Sequence, residues 1–278
     1  MELVPLETRP LPLTNDGRLE LFFLGVGSAF TKRQYQTNLL IVKGDEHVMV
    51  DFGTRAPHAL HELGRRVTDI RTFLITHSHA DHIGGLEEVA LMGRYVSHSK
   101  PTMWITKEYQ SYLWSRSMRG GCAPNEPRGL SFRDFFTIRR PAPLRGYGRD
   151  AYECRIGGLT LTLLRTRHIP EGARSWRNAI WSTAVLIDDR VLFTSDTLLD
   201  RRLLEAVDLR SPLEAIFHDC QFFTGGVHAG LDELAALPAG LKRRMVLVHY
   251  GDNWEQFEGR VLAEGFVGLG KQWVHYRF

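Results

Sequence analysis

Between Thr76 and Gly85 the chain reads THSHADHIGG. His77, His79, Asp81 and His82 fall within six residues, with Gly84 and Gly85 behind them. Imidazole nitrogen and carboxylate oxygen are the donors that zinc, manganese and iron accept. His77 and His79 are two apart, so an extended segment points them the same way. The glycine pair permits a tight turn into a following helix. A lone histidine is more often a surface or packed residue than a ligand. Four such groups crowded behind the apolar run TFLIT (72–76) make poor packing and a good coordination loop.

Four residues of one loop do not complete a catalytic site, and other apolar runs end in the same kinds of donor. His168 closes LTLTLLRTRH, Asp196 closes VLFTSD and His249 closes MVLVH. Chemistry carried at strand ends on a rigid scaffold needs this arrangement. Asp51, in VMVDFG, also ends a strand and suits a carboxylate that orients the loop or a ligand imidazole. Asp219, in FHDC, is a second candidate for that task.

The elements that must position these groups are short buried strands. The runs 19–27, 38–44, 47–53, 72–76 and 102–106 come first, then 159–166, 183–188, 191–196, 214–219 and 245–250. The DDR at 188–190 marks a hairpin turn. Helices are expected over about 55–64, 84–93, 107–117, 199–206, 230–237 and 254–264. Strand clusters with helices between them imply an α/β (α+β) protein with a two-sheet core and helices outside, in one domain over 1–278. The stretch from Gly120 to Arg149 is rich in Gly, Pro and Arg and follows no clear period. Segment 107–149, with Arg116, Arg119 and Arg128, fits either a lid over the site or a surface excursion.

At 278 residues with 43% hydrophobic content, the chain can bury a full core. A net charge of +3 gives no case for a global nucleic-acid binder. Cys122, Cys154 and Cys220 form no CxxC pair and no disulfide framework, which fits a reducing cytoplasm. The first residues lack a secretory pattern, and no apolar run approaches the ~20 residues of a membrane span.

In order along the chain, Asp51, the group His77, His79, Asp81 and His82, then His168, Asp196 and His249 resemble the motifs of the metallo-β-lactamase superfamily of di-metal hydrolases. The resemblance implies an αββα sandwich and two divalent ions. Zinc is the default, and manganese or iron use the same donors. It implies that His77, His79 and His168 hold one ion, that Asp81, His82 and His249 hold the other, and that Asp196 bridges them. Asp196 stands where zinc β-lactamases carry a cysteine, and His79 where di-iron oxidases carry a glutamate, so antibiotic hydrolysis and redox chemistry are not expected.

FFLGVGSAFTKRQYQTNLLIV (22–42) is similar to the opening of RNase Z and its phosphodiesterase relatives, with Asn38 as a candidate substrate contact. FHDCQFFTGGVHAGLDEL (217–234) resembles the RNase Z segment whose histidine stands near the scissile phosphate, and His228 matches it. The interval from His168 to Asp196 is too short for a tRNA-gripping arm, so no long structured tRNA is expected as partner. It does bring Arg174 and Arg177, with Trp176 and Trp181, as candidate phosphate contacts. The chain thus looks like an arm-less, RNase Z-like phosphodiesterase similar to the anti-Pycsar-type enzymes that destroy cyclic nucleotides. The resemblance implies hydrolysis of a small cyclic phosphodiester by a hydroxide held between the ions. Asp81 would orient the nucleophile, His228 would protonate the leaving oxygen, and the working form would be a homodimer. An ester, lactone or thioester hydrolase on the same site is the alternative, and a nucleotide-binding protein with a vestigial site is a third reading.

Overall fold

Strands form where apolar residues run without interruption. ELFFLG and the first five residues of NLLIVK are buried along both faces, as inner strands require. The computed structural model describes all 278 residues. Its strands are β1 (Glu2–Pro5), β2 (Glu20–Gly25), β3 (Asn38–Lys43), β4 (Glu46–Val50), β5 (Thr72–Leu74), β6 (Thr102–Trp104) and β7 (Thr137–Arg139). Then come β8 (Ala142–Leu144), β9 (Ala151–Ile156), β10 (Leu159–Arg165), β11 (Thr183–Ile187), β12 (Val191–Phe193), β13 (Ala215–Asp219), β14 (Met245–Val248), β15 (Gly268–Leu269) and β16 (Val274–Arg277).

The chain divides into two compact units, each built on one eight-stranded sheet. The first unit comprises residues 2–25, 35–141 and 272–278, and the second residues 26–34 and 142–271. In the first, the order is β1-β16-β2-β3-β4-β5-β6-β7, parallel from β4 to β7. In the second it is β15-β14-β13-β12-β11-β10-β9-β8, parallel from β12 to β15. Parallel neighbours end at one sheet edge, so Asp51 and His77 leave a common edge in the first unit. Asp196, Asp219 and His249 do so in the second. Open sheets of this kind carry ligand sites beyond the carboxyl ends of their strands.

The expected hairpin joins β11 to β12 through Asp188 and Asp189, both with positive φ (49° and 54°). Helices form over Ala56–Glu62, Leu86–Tyr95, Lys107–Leu113, Arg201–Arg210, Leu231–Ala235 and Glu255–Ala263, within the expected stretches or overlapping them. Sequence reading missed β1, β16 and the run β7 to β9. β1 is a mostly exposed edge ending in Pro5, and β8 contains Pro143, so neither displays an apolar run. The irregular part of the chain is well packed as far as Pro141. Trp114 meets Phe132 and Phe135 at ring-centroid distances of 6.1 and 6.3 Å, and Arg94 donates to Glu126 at 2.6 Å.

His47 ties β4 to two loops of the first unit. Its Nδ1 lies 3.2 Å from the Leu13 carbonyl, while Nε2 accepts the Arg71 N–H at 3.0 Å. An accepting Nε2 requires the neutral ring. Burial, with the nearby Arg71 charge, lowers the His47 pKa to about 4. Between that value and the ordinary 6.5, the unfolded chain binds the proton more readily, so stability falls as pH drops through this window. The expected loss at pH 4 is about 3 kcal/mol. Urea unfolding of wild type and His47→Gln across this range should show a shallower pH slope in the variant.

Candidate metal centre

In the first unit, the coordination loop begins two residues beyond β5 and leads into the short helix Ala80–Ile83. His77, Asp81 and His82 are buried and His79 is half-buried. His77 Nε2 and His79 Nδ1 face each other at 3.1 Å, and His82 Nε2 stands 3.1 Å from an Asp81 carboxylate oxygen. Asp51 anchors this loop. Its carboxylate accepts the Thr76 N–H and Thr76 hydroxyl, both at 2.7 Å, and lies 2.7 Å from His82 Nδ1. A proton on His82 Nδ1 donated to Asp51 leaves Nε2 with its lone pair, the form a metal takes. Asp51 pays for this placement with a left-handed backbone, φ 65°.

Asn38, a candidate substrate contact by sequence, is buried inside the first unit. Its amide donates to the Asp81 carbonyl at 3.0 Å and to the Gln36 carbonyl at 3.2 Å, and its oxygen accepts the Gly53 N–H. It therefore holds the loop, because every polar atom of the side chain is used within the protein. Two residues that the sequence gave no reason to single out join it. Tyr109, in the helix after β6, meets Ser78 at 2.9 Å between hydroxyls, and Thr76 links Asp51 to His77. Thr76 adjoins His77 in sequence, whereas nothing in the sequence ties Tyr109 to the loop.

Gly53 is fixed by this packing. A Cβ there would meet the Asp81 carbonyl oxygen at 1.9 Å. Gly53→Ala is expected to cost about 2–4 kcal/mol and to displace Asp81. Urea unfolding should show the loss, and elemental analysis of the purified variant should show reduced metal content.

In the second unit, Asp196 sits just past β12 and is 1% exposed. Its Oδ2 lies 3.8 Å from His168 Nε2, 3.3 Å from His249 Nε2 and 3.9 Å from His228 Nδ1. His168, beyond β10, has Nδ1 2.8 Å from the Val227 carbonyl, which directs Nε2 toward Asp196. Burial lowers its pKa to about 4, so the ring is neutral. Asp219, ending β13, accepts the Thr197 N–H at 2.9 Å and lies 2.8 Å from His228 Nδ1 and 3.4 Å from His249 Nδ1. Burial alone would lower the His228 pKa, but the Asp219 charge and hydrogen bond outweigh it and hold the imidazole above its ordinary value. Asp196, Asp219, His228 and His249 form one cluster of possible ligand atoms within 4.8 Å. Buried carboxylates facing imidazole nitrogens fit a divalent cation, which compensates a charge that burial otherwise penalises.

His228 and His249 line a cavity of about 260 Å³ whose wall includes Phe30, Phe222 and Phe223. Phe222 stacks on Phe257 at 4.3 Å. The basic loop before β3 belongs to this unit: Arg33 is spent on a bidentate pair with Glu255 (2.9 and 2.8 Å), and Thr31 donates to Asp252. Arg174 and Arg177 line a different cavity, which none of His168, Asp196, His228 and His249 lines.

Two sheets whose parallel edges present these histidines and aspartates are the pattern of the metallo-β-lactamase fold, and the donors fit a metal-dependent hydrolase. The solved structure of YhfI from Bacillus subtilis, a metallo-β-lactamase fold protein, matches with a TM-score of 0.68 at 15% identity, covering 94% of this chain and 100% of that one. The short form of human tRNase Z matches with a TM-score of 0.62 at 15% identity, covering 92% and 98%. Within that fold, the chain belongs to the family described as Anti-Pycsar protein Apyc1, which matches residues 19–276. The Apyc1 of Bacillus phage vB_BsuM-Goe3 is 36% identical over 264 residues, spanning 91% of this chain and 97% of that relative. No helix is long and apolar enough to cross a membrane.

Proposed function

We propose that the chain is a di-metal phosphodiesterase that opens a small, cyclic, nucleotide-like phosphodiester. The observation that carries this reading is the cavity shared by His228 and His249. One wall holds a histidine poised to give a proton, and another is aromatic. Its size suits a small ligand rather than a folded RNA. Family membership supports the same reading.

His77, His79 and His168 would hold one divalent ion, Asp81, His82 and His249 the other, and Asp196 both. Ions bound there would supply Lewis acidity and a water acidic enough to ionise near neutral pH. The protein's own groups do the rest. Asp51 and Asp219 fix the tautomers of His82 and His228 by accepting from their Nδ1 atoms. Asp81 orients the attacking water, and His228 presents Nε2–H to the departing oxygen. Phe30 and Phe223, respectively 86% and 67% exposed, offer apolar faces to a base. The single domain, the homodimer and the cytoplasmic setting belong to the same proposal. The three cysteines, all free and buried, fit a reducing compartment. Light scattering should give twice the chain mass.

The test is hydrolysis of 3′,5′-cyclic nucleoside monophosphates and of bis(p-nitrophenyl) phosphate by metal-loaded protein, beside a p-nitrophenyl carboxylic ester and a lactone. Turnover of the phosphodiesters is expected. Acyl turnover with none on phosphate, for any of the three metals, would sink the proposal in favour of the ester and lactone reading.

A further inference from the structure

The cavity that takes Arg174 and Arg177 is large, about 840 Å³, and lies wholly in the second unit. Arg149, Arg167, Arg174, Arg177, Arg201 and Arg202 line it, with Asp200 and Glu233 as the acidic residues of its wall. Six arginines against two carboxylates leave an excess of four positive charges around one space. Like charges held this close repel unless something compensates them.

Compensation inside the protein is partial. Arg149 reaches Asp200 at 3.0 Å with its side chain only 7% exposed, and Asp200 also caps the helix Arg201–Arg210 by accepting the Leu203 N–H at 3.1 Å. Among the six arginines, Arg149 is the one with a carboxylate partner. Arg167 is held by a carbonyl, its Nη2 donating to Leu199 at 2.8 Å. The Nε atoms of Arg149 and Arg167 are buried without a hydrogen-bond partner. Two guanidiniums are thus built into the floor at a desolvation cost that surface arginines do not bear. The helix Arg201–Arg210 also begins at this wall, where the carbonyl of Asp200 accepts the Leu203 and Leu204 N–H groups at 3.0 and 3.2 Å. Arg177 lies over the Trp176 ring at 4.5 Å, and Arg210 over Tyr147 at 4.6 Å, so the aromatic faces here already carry cations.

We infer that this cleft is a second ligand site, separate from the metal centre, for a compact polyphosphate of two or three phosphoryl groups. Guanidinium forks match phosphate oxygens two at a time. A chain of about three or four negative charges matches the cationic excess better than a single phosphate does. The volume lies within the roughly 300–1,000 Å³ of small-ligand sites. The phosphate chain is the shared chemistry, whether it arrives as inorganic polyphosphate or as the tail of a nucleotide.

The test is calorimetric titration of the metal-loaded full chain with sodium tripolyphosphate and, separately, with ATP. Two variants accompany it: Arg174→Gln/Arg202→Gln, both exposed positions whose folding is checked by thermal melting, and His77→Ala/His79→Ala at the metal donors. One tripolyphosphate per chain is expected, weakened about tenfold or more in the arginine variant and within about threefold of wild type in the histidine variant. Equal affinity for ATP would place recognition in the phosphate chain alone, and tighter ATP binding would add a nucleoside contact to it. Absence of binding at millimolar tripolyphosphate would overturn the inference, as would binding that survives in the arginine variant. Binding lost only in the histidine variant would overturn it too, while leaving the phosphodiesterase proposal standing.

Discussion

Asp196→Ala is expected to abolish turnover, lowering kcat/KM by about 10⁴-fold or more. The reason is positional. One carboxylate oxygen stands 3.3–3.9 Å from nitrogens of three histidines, His168, His249 and His228. Removing it takes away the carboxylate that His168 and His249 share, and with it the negative charge that favours a cation between them. Elemental analysis separates this account from a folding defect. Wild type should carry two ions per chain and the variant fewer, with melting curves taken on both. Chelation of the wild type should reproduce the loss and added metal should reverse it, whereas added metal should not rescue the variant. A variant that retained full metal content and turnover would remove Asp196 from the centre.

The second large effect concerns His228 and depends on the leaving group. His228→Gln should lower kcat by about 10²–10³-fold on a cyclic nucleotide, whose departing alkoxide needs a proton. On bis(p-nitrophenyl) phosphate the loss should stay within about tenfold, because p-nitrophenolate leaves without protonation. Asp219→Asn should cost activity on both substrates. Its carboxylate holds His228 Nδ1 at 2.8 Å but also faces His249 at 3.4 Å and accepts the Thr197 N–H. The substitution therefore disturbs proton donation and the metal ligands together. Equal losses on the two substrates in His228→Gln would mean that the histidine positions the centre rather than supplying the proton.

These two expectations draw on different parts of the chain. Asp196 was legible because it terminates an apolar run, and a polar group at the end of a buried strand must emerge at the sheet edge. His228 lies in a glycine-bounded loop, TGGVHAG, with no strand before it. Its spacing carried no information about Asp219, and only the resemblance marked it. The parallel alignment of β12, β13 and β14 is what brings β13's terminal carboxylate beside both His228 and His249.

Local sequence by itself determined the coordination loop. Four donors in six residues between a buried strand and a glycine turn have few places to go, whatever surrounds them. It likewise determined most strands and helices, since continuous apolar runs and helical periodicity act over a few residues. Tertiary structure alone decided how side chains that leave the same loop part company. Asn38 was read as a substrate contact, yet its carboxamide is consumed by the Asp81 and Gln36 carbonyls and the Gly53 N–H. Arg174 and Arg177 follow His168 closely in sequence but line a cleft with Arg149 and Arg202, which shares no lining residue with the cavity of His228 and His249. Arg33 is spent on Glu255, far along the chain. The physical reason is common to all three. A hydrogen bond or ion pair is decided by whichever partner folding brings within about 3 Å, and spacing along the chain does not single that partner out.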